Sequence, residues 1–149
     1  MTRPSWDQTF GDIAKVWSQR STCSRRQVGA VVVKDNRVIG QGYNGVPSGK
    51  THCIDGGCPR GLMGPEVPPG SDYNLYPCRA LHAEHNAILQ AGMESCRGAT
   101  IYVTDEPCPN CTRFLAGAGI ARDMLQRGNP SVEDKIFYGY SGSMLRNVP

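Results

Sequence analysis

The first apolar pattern along the chain has the period of a helix. Trp6, Phe10, Ile13 and Trp17 recur at spacings of four, three and four, which keeps them on one stripe of a 3.6-residue repeat. Ser5, with Gln8 three positions later, offers a capping box at its start. The pattern then changes period. "VGAVVVK" (28–34) and "RVIGQGY" (37–43) are β-branched runs separated by "DN", a hairpin signal. "ATIYVT" (99–104) predicts a third strand and "IFYGY" (136–140) a fourth. Helices are predicted over 82–92 and about 109–127.

Strands alternating with helices predict an α/β sandwich, helices packed on a central sheet. The chain shows no internal repeat and no low-complexity tract, and its 149 residues suit a single domain, 1–149, with a core that needs no staples. One stretch resists this picture. Between 45 and 77, 13 of 33 residues are Gly or Pro, and a structureless loop of that length inside a compact domain needs something to hold it. Cys53 and Cys58 lie inside it and Cys78 just beyond its end.

Composition narrows the class. An apolar fraction of 39% and a charged fraction of 19% fit a globular chain. No apolar run approaches the roughly 18 residues of a membrane span, and "MTRPSWDQTF" lacks a signal-peptide core, so a cytoplasmic location is expected. Seven cysteines, an odd count in a chain without an export signal, point to metal rather than to disulfides. A net charge of +3 suits an anionic small molecule and is too mild for a nucleic-acid surface.

Two short stretches carry chemistry, "LHAEHNAI" (81–88) and "DEPCPNCT" (105–112). Cys108 and Cys111 are three apart, so on the first turn of a helix their thiols share a face. Pro107 and Pro109 suit a helix entrance, where backbone N–H groups and the positive dipole end favour thiolates. His82 opens the preceding helix. If the two helix starts abut, one imidazole and two thiolates leave a fourth tetrahedral position free, the arrangement of a catalytic zinc. Glu84 is then a carboxylate beside the metal, placed to take a proton from an activated water and hand it on. Neither half is specific alone. A lone H-x-E is common, and a lone C-x-x-C divides between metal or redox chemistry and ordinary packing. A thioredoxin-like role leaves H-x-E unexplained. Together, H-x-E…P-C-x-x-C across helix, strand and helix is the signature of the zinc nucleobase deaminases.

These motifs are joined by "RRQVGAVVVKDNRVIGQGYNGVPSG" (25–49), "HC…GC" (52–58) and "C-x-x-x-H-A-E" (78–84). Over about residues 5–122 the chain resembles the deoxycytidylate (dCMP) deaminases of the cytidine deaminase superfamily. The resemblance implies a three-layer α-β-α sandwich with a central mixed five-stranded sheet. It implies zinc on His82, Cys108 and Cys111, hydrolysis of dCMP to dUMP and ammonia, and a homo-oligomer. Glu84 would move a proton to N3 of cytosine while C4 is attacked, and then to the departing ammonia. Asn44, in "GYNG", matches the position that hydrogen-bonds the sugar, and Ala83 would offer a backbone N–H to the base. Arg26 is a candidate for the 5′-phosphate, since a guanidinium suits a bidentate phosphate contact. Arg25 and Arg26 read equally well as a solvated charged edge, and Asn44 as a turn residue before Gly45.

Some dCMP deaminases carry a second, structural zinc, and the resemblance assigns it to Cys23, Cys53, Cys58 and Cys78, with His52 as a replacement for one thiol. Such a site would pin the Gly/Pro-rich loop. Cys96 is left as a buried apolar residue. After "AGAGIAR" (116–122) the resemblance breaks: relatives pass into an apolar strand, whereas "DMLQRGNPSVEDK" reads as more helix and then a loop. Three rival readings follow. One is a deaminase for CMP, a free nucleoside, a modified cytosine nucleotide or an antibiotic. A polynucleotide deaminase is disfavoured because no basic stripe interleaves with aromatics. A non-catalytic zinc-stabilised nucleotide-binding module leaves Glu84 without a duty.

Overall fold

The computed structural model describes residues 2–68, 75, 77–126 and 132–134. Helix α1 spans Trp6–Ser18, and Ser5 caps it by accepting the Gln8 N–H at 3.0 Å. The reciprocal half of the expected capping box is not made. Gln8 Nε2 instead donates to Asp12 Oδ1, one turn on, at 2.8 Å. Phe10 and Ala14 form the buried stripe with Ile13 and Trp17 against its edge, while Trp6 remains 60% exposed and stacks on Phe10.

Strands β1 (Gly29–Lys34) and β2 (Arg37–Tyr43) form the hairpin. Asp35 and Asn36 take φ of 52° and 59° between them, as the tight turn matching strand twist requires. With β3 (Thr100–Val103), β4 (Arg122–Gln126) and a three-residue β5 (Val132–Asp134), the sheet order is β2-β1-β3-β4-β5. β3 and β4 run parallel and the other pairs antiparallel, so the sheet is mixed. The remaining helices are α2 (Pro59–Leu62), α3 (Ala83–Ala91), α4 (Met93–Cys96) and α5 (Pro109–Gly117).

The period-2 alternation of β1 divides the core. Val31 and Val33 face α1 with Tyr102 and Met124. Ala30 and Val32 face the other way, with Ile101, Val103, Ala83, Ala87 and Leu115. Helices therefore cover both faces of the sheet, with α3 and α5 together on the second. Cys96 is fully buried in that second cluster, as expected of an apolar role.

Two expectations are overturned. The helix predicted over 109–127 ends at Gly117, with Gly119 at φ 82° beyond it. Arg122–Gln126 is a strand paired in parallel with β3, so the chain does pass directly into a strand after 116–122. Asp123, Met124, Leu125 and Gln126 are all buried, which removes the alternation by which a strand is recognised. The polar Gln126 is accommodated by donating to Asp12 Oδ1 of α1 at 2.9 Å. The strand expected at 136–140 lies outside the described residues.

The Gly/Pro-rich stretch is held at its neck. Gly45 and Leu81 exchange both backbone hydrogen bonds, at 3.1 and 2.8 Å, which also fixes the entry to α3. Inside it, 3₁₀ turns at Cys53–Asp55 and Gly64–Glu66 flank α2. The segment before β1 anchors it: Ile54 N–H donates to Thr22 O at 3.0 Å, and the Arg25 guanidinium donates to Gly64 O and Val67 O. Among the described residues, no helix is long and apolar enough to cross a membrane.

Candidate active site

His82 and Cys108 occupy equivalent places, the N-caps of α3 and α5, both extended (ψ 156° and 164°). The His82 ring caps nothing on its own helix. It turns to the thiols: Nδ1 lies 3.0 Å from Cys111 Sγ and 3.6 Å from Cys108 Sγ. The three donor atoms all fall within 4.8 Å of one another, and they are the His/Cys/Asp/Glu group that does so among the described residues. Ligands 2.0–2.3 Å from a tetrahedral zinc stand roughly 3.3–3.8 Å apart, so this donor set fits the ion in chemistry and in spacing.

Local electrostatics prepare the thiolates. Cys108 Sγ accepts the Cys111 N–H at 3.3 Å. The hydrogen bond from the Cys111 thiol, then His82 and that backbone N–H, hold the Cys108 thiol down at about 3 against its burial. Cys111 is pushed the other way, by its bond to Cys108 and by burial. Zinc binds sulfur as thiolate, so uptake of the ion at this pair would release protons. The hydrogen bond to Cys108 raises His82.

Glu84, on the first turn of α3, is 4% exposed. Burial pushes its carboxyl above the usual range, while its own backbone N–H and then His82 pull it back. A carboxyl raised in this way holds a proton more readily than a surface glutamate does, which suits a proton carrier. Glu84, His82 and Cys108 line one cavity of about 210 Å³. Ala83, fully buried beside them, is the first residue of α3, so its N–H has no acceptor within the helix.

The expected nucleotide contacts meet this cavity in altered form. Asn44 lines it, but its amide is largely committed. Oδ1 accepts the Val28 N–H and the Ser21 hydroxyl, and Nδ2 donates to Arg26 O at 2.8 Å. One amide hydrogen remains for a ligand, and the main duty of Asn44 is to shape the 26–28 wall. Arg26 lies at the cavity edge, 60% exposed, with Nε 3.0 Å from Asp105 Oδ2. Any phosphate would displace or share that partner. No sequence pattern marks Asp105, or the buried Arg60 on the same wall, as part of the site.

Cys23, Cys53, Cys58 and Cys78 are brought to one region. Cys53 is hydrogen-bonded to Cys58 and feels the charge of Cys23 and Cys78; burial, then Cys58, raises it to about 12. Cys58 repeats the Cys108 device: it caps α2 ahead of a proline, and its Sγ accepts the Gly61 N–H at 3.1 Å. No three of these sulfurs close to within 4.8 Å, so the set is looser than the first. Cys23, Cys58 and Cys78 line the same cavity as His82 and Glu84. His52 is exposed.

A family model described as the cytidine and deoxycytidylate deaminase zinc-binding region matches residues 4–126. The chain is 52% identical over 124 residues to the deoxycytidylate deaminase of Mycobacterium phage D29, covering 82% of this chain and 94% of that one. It is 42% identical over 122 residues to the deoxycytidylate deaminase of Saccharomyces cerevisiae, covering 81% of this chain but only 37% of the yeast protein. Among solved structures, dCMP deaminase from cyanophage S-TIM5 in apo form is similar at a TM-score of 0.63 and 31% identity, over 83% of this chain and 84% of that one. The same enzyme in complex with dCMP and dUMP matches at a TM-score of 0.63 and 29% identity, over 84% and 83%.

Proposed function

The chain belongs to the cytidine and deoxycytidylate deaminase family, and from that premise we propose that it hydrolyses dCMP to dUMP and ammonia at a zinc held by His82, Cys108 and Cys111. The observation that carries this reading is the convergence of three donor atoms within 4.8 Å at two abutting helix starts, beside a buried glutamate. Zinc bound there supplies an acidified water as the nucleophile for C4 of cytosine. Glu84 takes up a proton, delivers it to N3, and later carries one to the departing amino nitrogen. The Ala83 N–H meets the base, Asn44 offers its remaining amide hydrogen to the sugar, and Arg26 takes the 5′-phosphate in exchange for Asp105. Ammonia release from dCMP, CMP, deoxycytidine and cytidine tests this directly. A preference for dCMP is expected; a preference for a nucleoside or for CMP would replace the substrate, and no release from any would leave a binding module.

The reading includes a second, structural zinc on Cys23, Cys53, Cys58 and Cys78. Its support is the Cys53–Cys58 hydrogen bond, the mutual influence of all four thiols, and N–H donors on Cys58 and Cys23 from Gly61 and Arg25. Such donors temper the charge of a metal-bound thiolate. Metal analysis should give close to two zinc ions per chain, and Cys58→Ser should lower that towards one and destabilise the fold. One zinc in the unmutated protein, with Cys53, Cys58 and Cys78 all alkylatable in the native state, would refute the second site. A reducing, cytoplasmic setting is supported by seven free cysteines. Exposed Leu89, Met93 and Phe114 around α3 and α5 support a homo-oligomer.

A further inference from the structure

α3 and α5 meet in two layers. In the first, His82 Nδ1 touches Cys111 Sγ at 3.0 Å. One turn further along each helix, the His85 and Phe114 rings touch, with centroids 4.5 Å apart and planes tilted by 54°. His82 and His85 are three apart on α3, and Cys111 and Phe114 three apart on α5, so each helix presents its pair on one face. His85 belongs to both layers. Its ring lies 5.4 Å from that of His82 at an interplanar angle of 18°, and its Nε2 is 3.6 Å from Cys111 Sγ.

The two thiols differ in what surrounds them. Cys108 Sγ receives a backbone N–H, that of Cys111. Cys111 is fully buried, so its outer hydrogen bond must come from the protein; the Glu84 carboxyl and the His85 imidazole are both in reach, and of the two it is His85 that can offer an N–H. We propose that His85 is a positioning residue of the metal centre: with its proton on Nε2 it donates an N–H···S bond to the Cys111 thiolate, while Phe114 clamps the ring in place. A thiolate that shares its charge with an N–H gives less of it to the metal, which keeps zinc the stronger Lewis acid. The same bond fixes the direction of the Cys111 sulfur. Nothing in the H-x-E or P-C-x-x-C motifs requires a histidine at this position.

The proposal rests on the zinc reading of the site, and cobalt substitution separates the two. His85→Phe keeps a ring against Phe114 and removes the N–H. In the cobalt-loaded protein the sulfur-to-cobalt charge-transfer band should move to lower energy, because an unbonded thiolate holds its lone pairs less tightly. On the zinc enzyme, kcat should fall roughly tenfold with KM for dCMP little changed. His85→Gln, which restores a donor on a flexible arm, should return the band and most of the rate towards wild type. A band unmoved in His85→Phe overturns the proposal even if the rate falls. Loss of an inner-shell nitrogen by X-ray absorption overturns it too, since His85 would then be a ligand. If His85→Phe takes up no cobalt, the His85→Gln band must match wild type for the proposal to stand. Absence of metal in the wild-type protein would instead sink the zinc reading itself.

Discussion

The active-site helix owes its position to a strand with no side chain at one point. β2 carries Gly42 directly beneath the first turn of α3. A Cβ built there would stand 2.7 Å from Asn86 Cβ and 2.8 Å from both Ala83 O and Ala87 N. Ordinary contact begins near 3.4 Å, so Gly42→Ala is about 0.6 Å too close. Two of the three obstacles are backbone atoms, and the third belongs to a residue whose amide donates to Tyr43 O at 2.9 Å. No rotamer change relieves the overlap. The first turn of α3 has to lift from the sheet, carrying His82 and Glu84 away from α5. Metal and catalytic sites tolerate only about 0.5 Å of error, and a 1 Å misplacement can cost about a hundredfold in rate. Gly42→Ala should therefore lower kcat/KM for dCMP roughly tenfold, weaken zinc retention against a chelator, and destabilise the fold by about 1–3 kcal/mol. Denaturant unfolding, ammonia release and chelator titration read the three effects. Gly117→Ala, at the end of α5, is the control, because nothing lies within 4 Å of the added methyl. It should be neutral or stabilising by up to about 1 kcal/mol. The reasoning fails if Gly42→Ala stays within about 0.5 kcal/mol of wild type with activity within twofold.

Three further substitutions separate chemistry, recognition and scaffold. Glu84→Gln should retain the catalytic zinc and the fold yet abolish ammonia release; loss of zinc would make Glu84 a ligand. Arg26→Ala should raise KM for dCMP roughly tenfold or more, as expected for a charge-assisted contact of about 1.5–3 kcal/mol, and leave any deoxycytidine turnover little changed. Equal loss on both substrates would remove Arg26 from the phosphate. Tyr102, whose hydroxyl donates to Asp7 Oδ1 at 2.5 Å, is held above the usual phenol range by burial and then by Asp7. A raised folded value means that its contribution is complete below about pH 10 and is lost as the pH rises through the folded value. Tyr102→Phe should lower stability at neutral pH and flatten the alkaline fall in urea-unfolding free energy; an unchanged alkaline slope would exclude the linkage.

What the sequence revealed was local. The α1 stripe, the Asp35–Asn36 turn and the helix entries at His82 and Cys108 each announce themselves within a few residues. What it concealed depends on partners far along the chain. β4 is buried by neighbours on every side, and the polar residue that disguises it, Gln126, is satisfied by Asp12, 114 positions away. Arg25 looks like a surface charge until its guanidinium reaches the carbonyls of Gly64 and Val67, 39 and 42 positions on. Asn44 reads as a turn residue or a sugar contact, and the fold spends most of its amide on the 26–28 wall. The Gly/Pro-rich loop looked structureless because its closure, the Gly45–Leu81 pairing, joins residues that are neighbours only after β2 and α3 have docked.

Local rules also fail in a way that marks the site. A helix N-cap favours Ser, Thr, Asp or Asn, whose oxygen satisfies an orphan N–H, and replacing such a cap typically costs about 1 kcal/mol. α1 follows the rule with Ser5. α2, α3 and α5 break it with Cys58, His82 and Cys108, and the His82 ring gives up capping altogether. All three exceptions line one cavity. There the positive helix ends favour thiolates, and the N–H groups that the uncapped first turn of α3 leaves over are available to a ligand. A chain optimised only for stability would place an oxygen at each of these positions. Sequence-level conflicts of this kind concentrate at functional sites, and here the conflict falls on two of the three residues whose donor atoms converge.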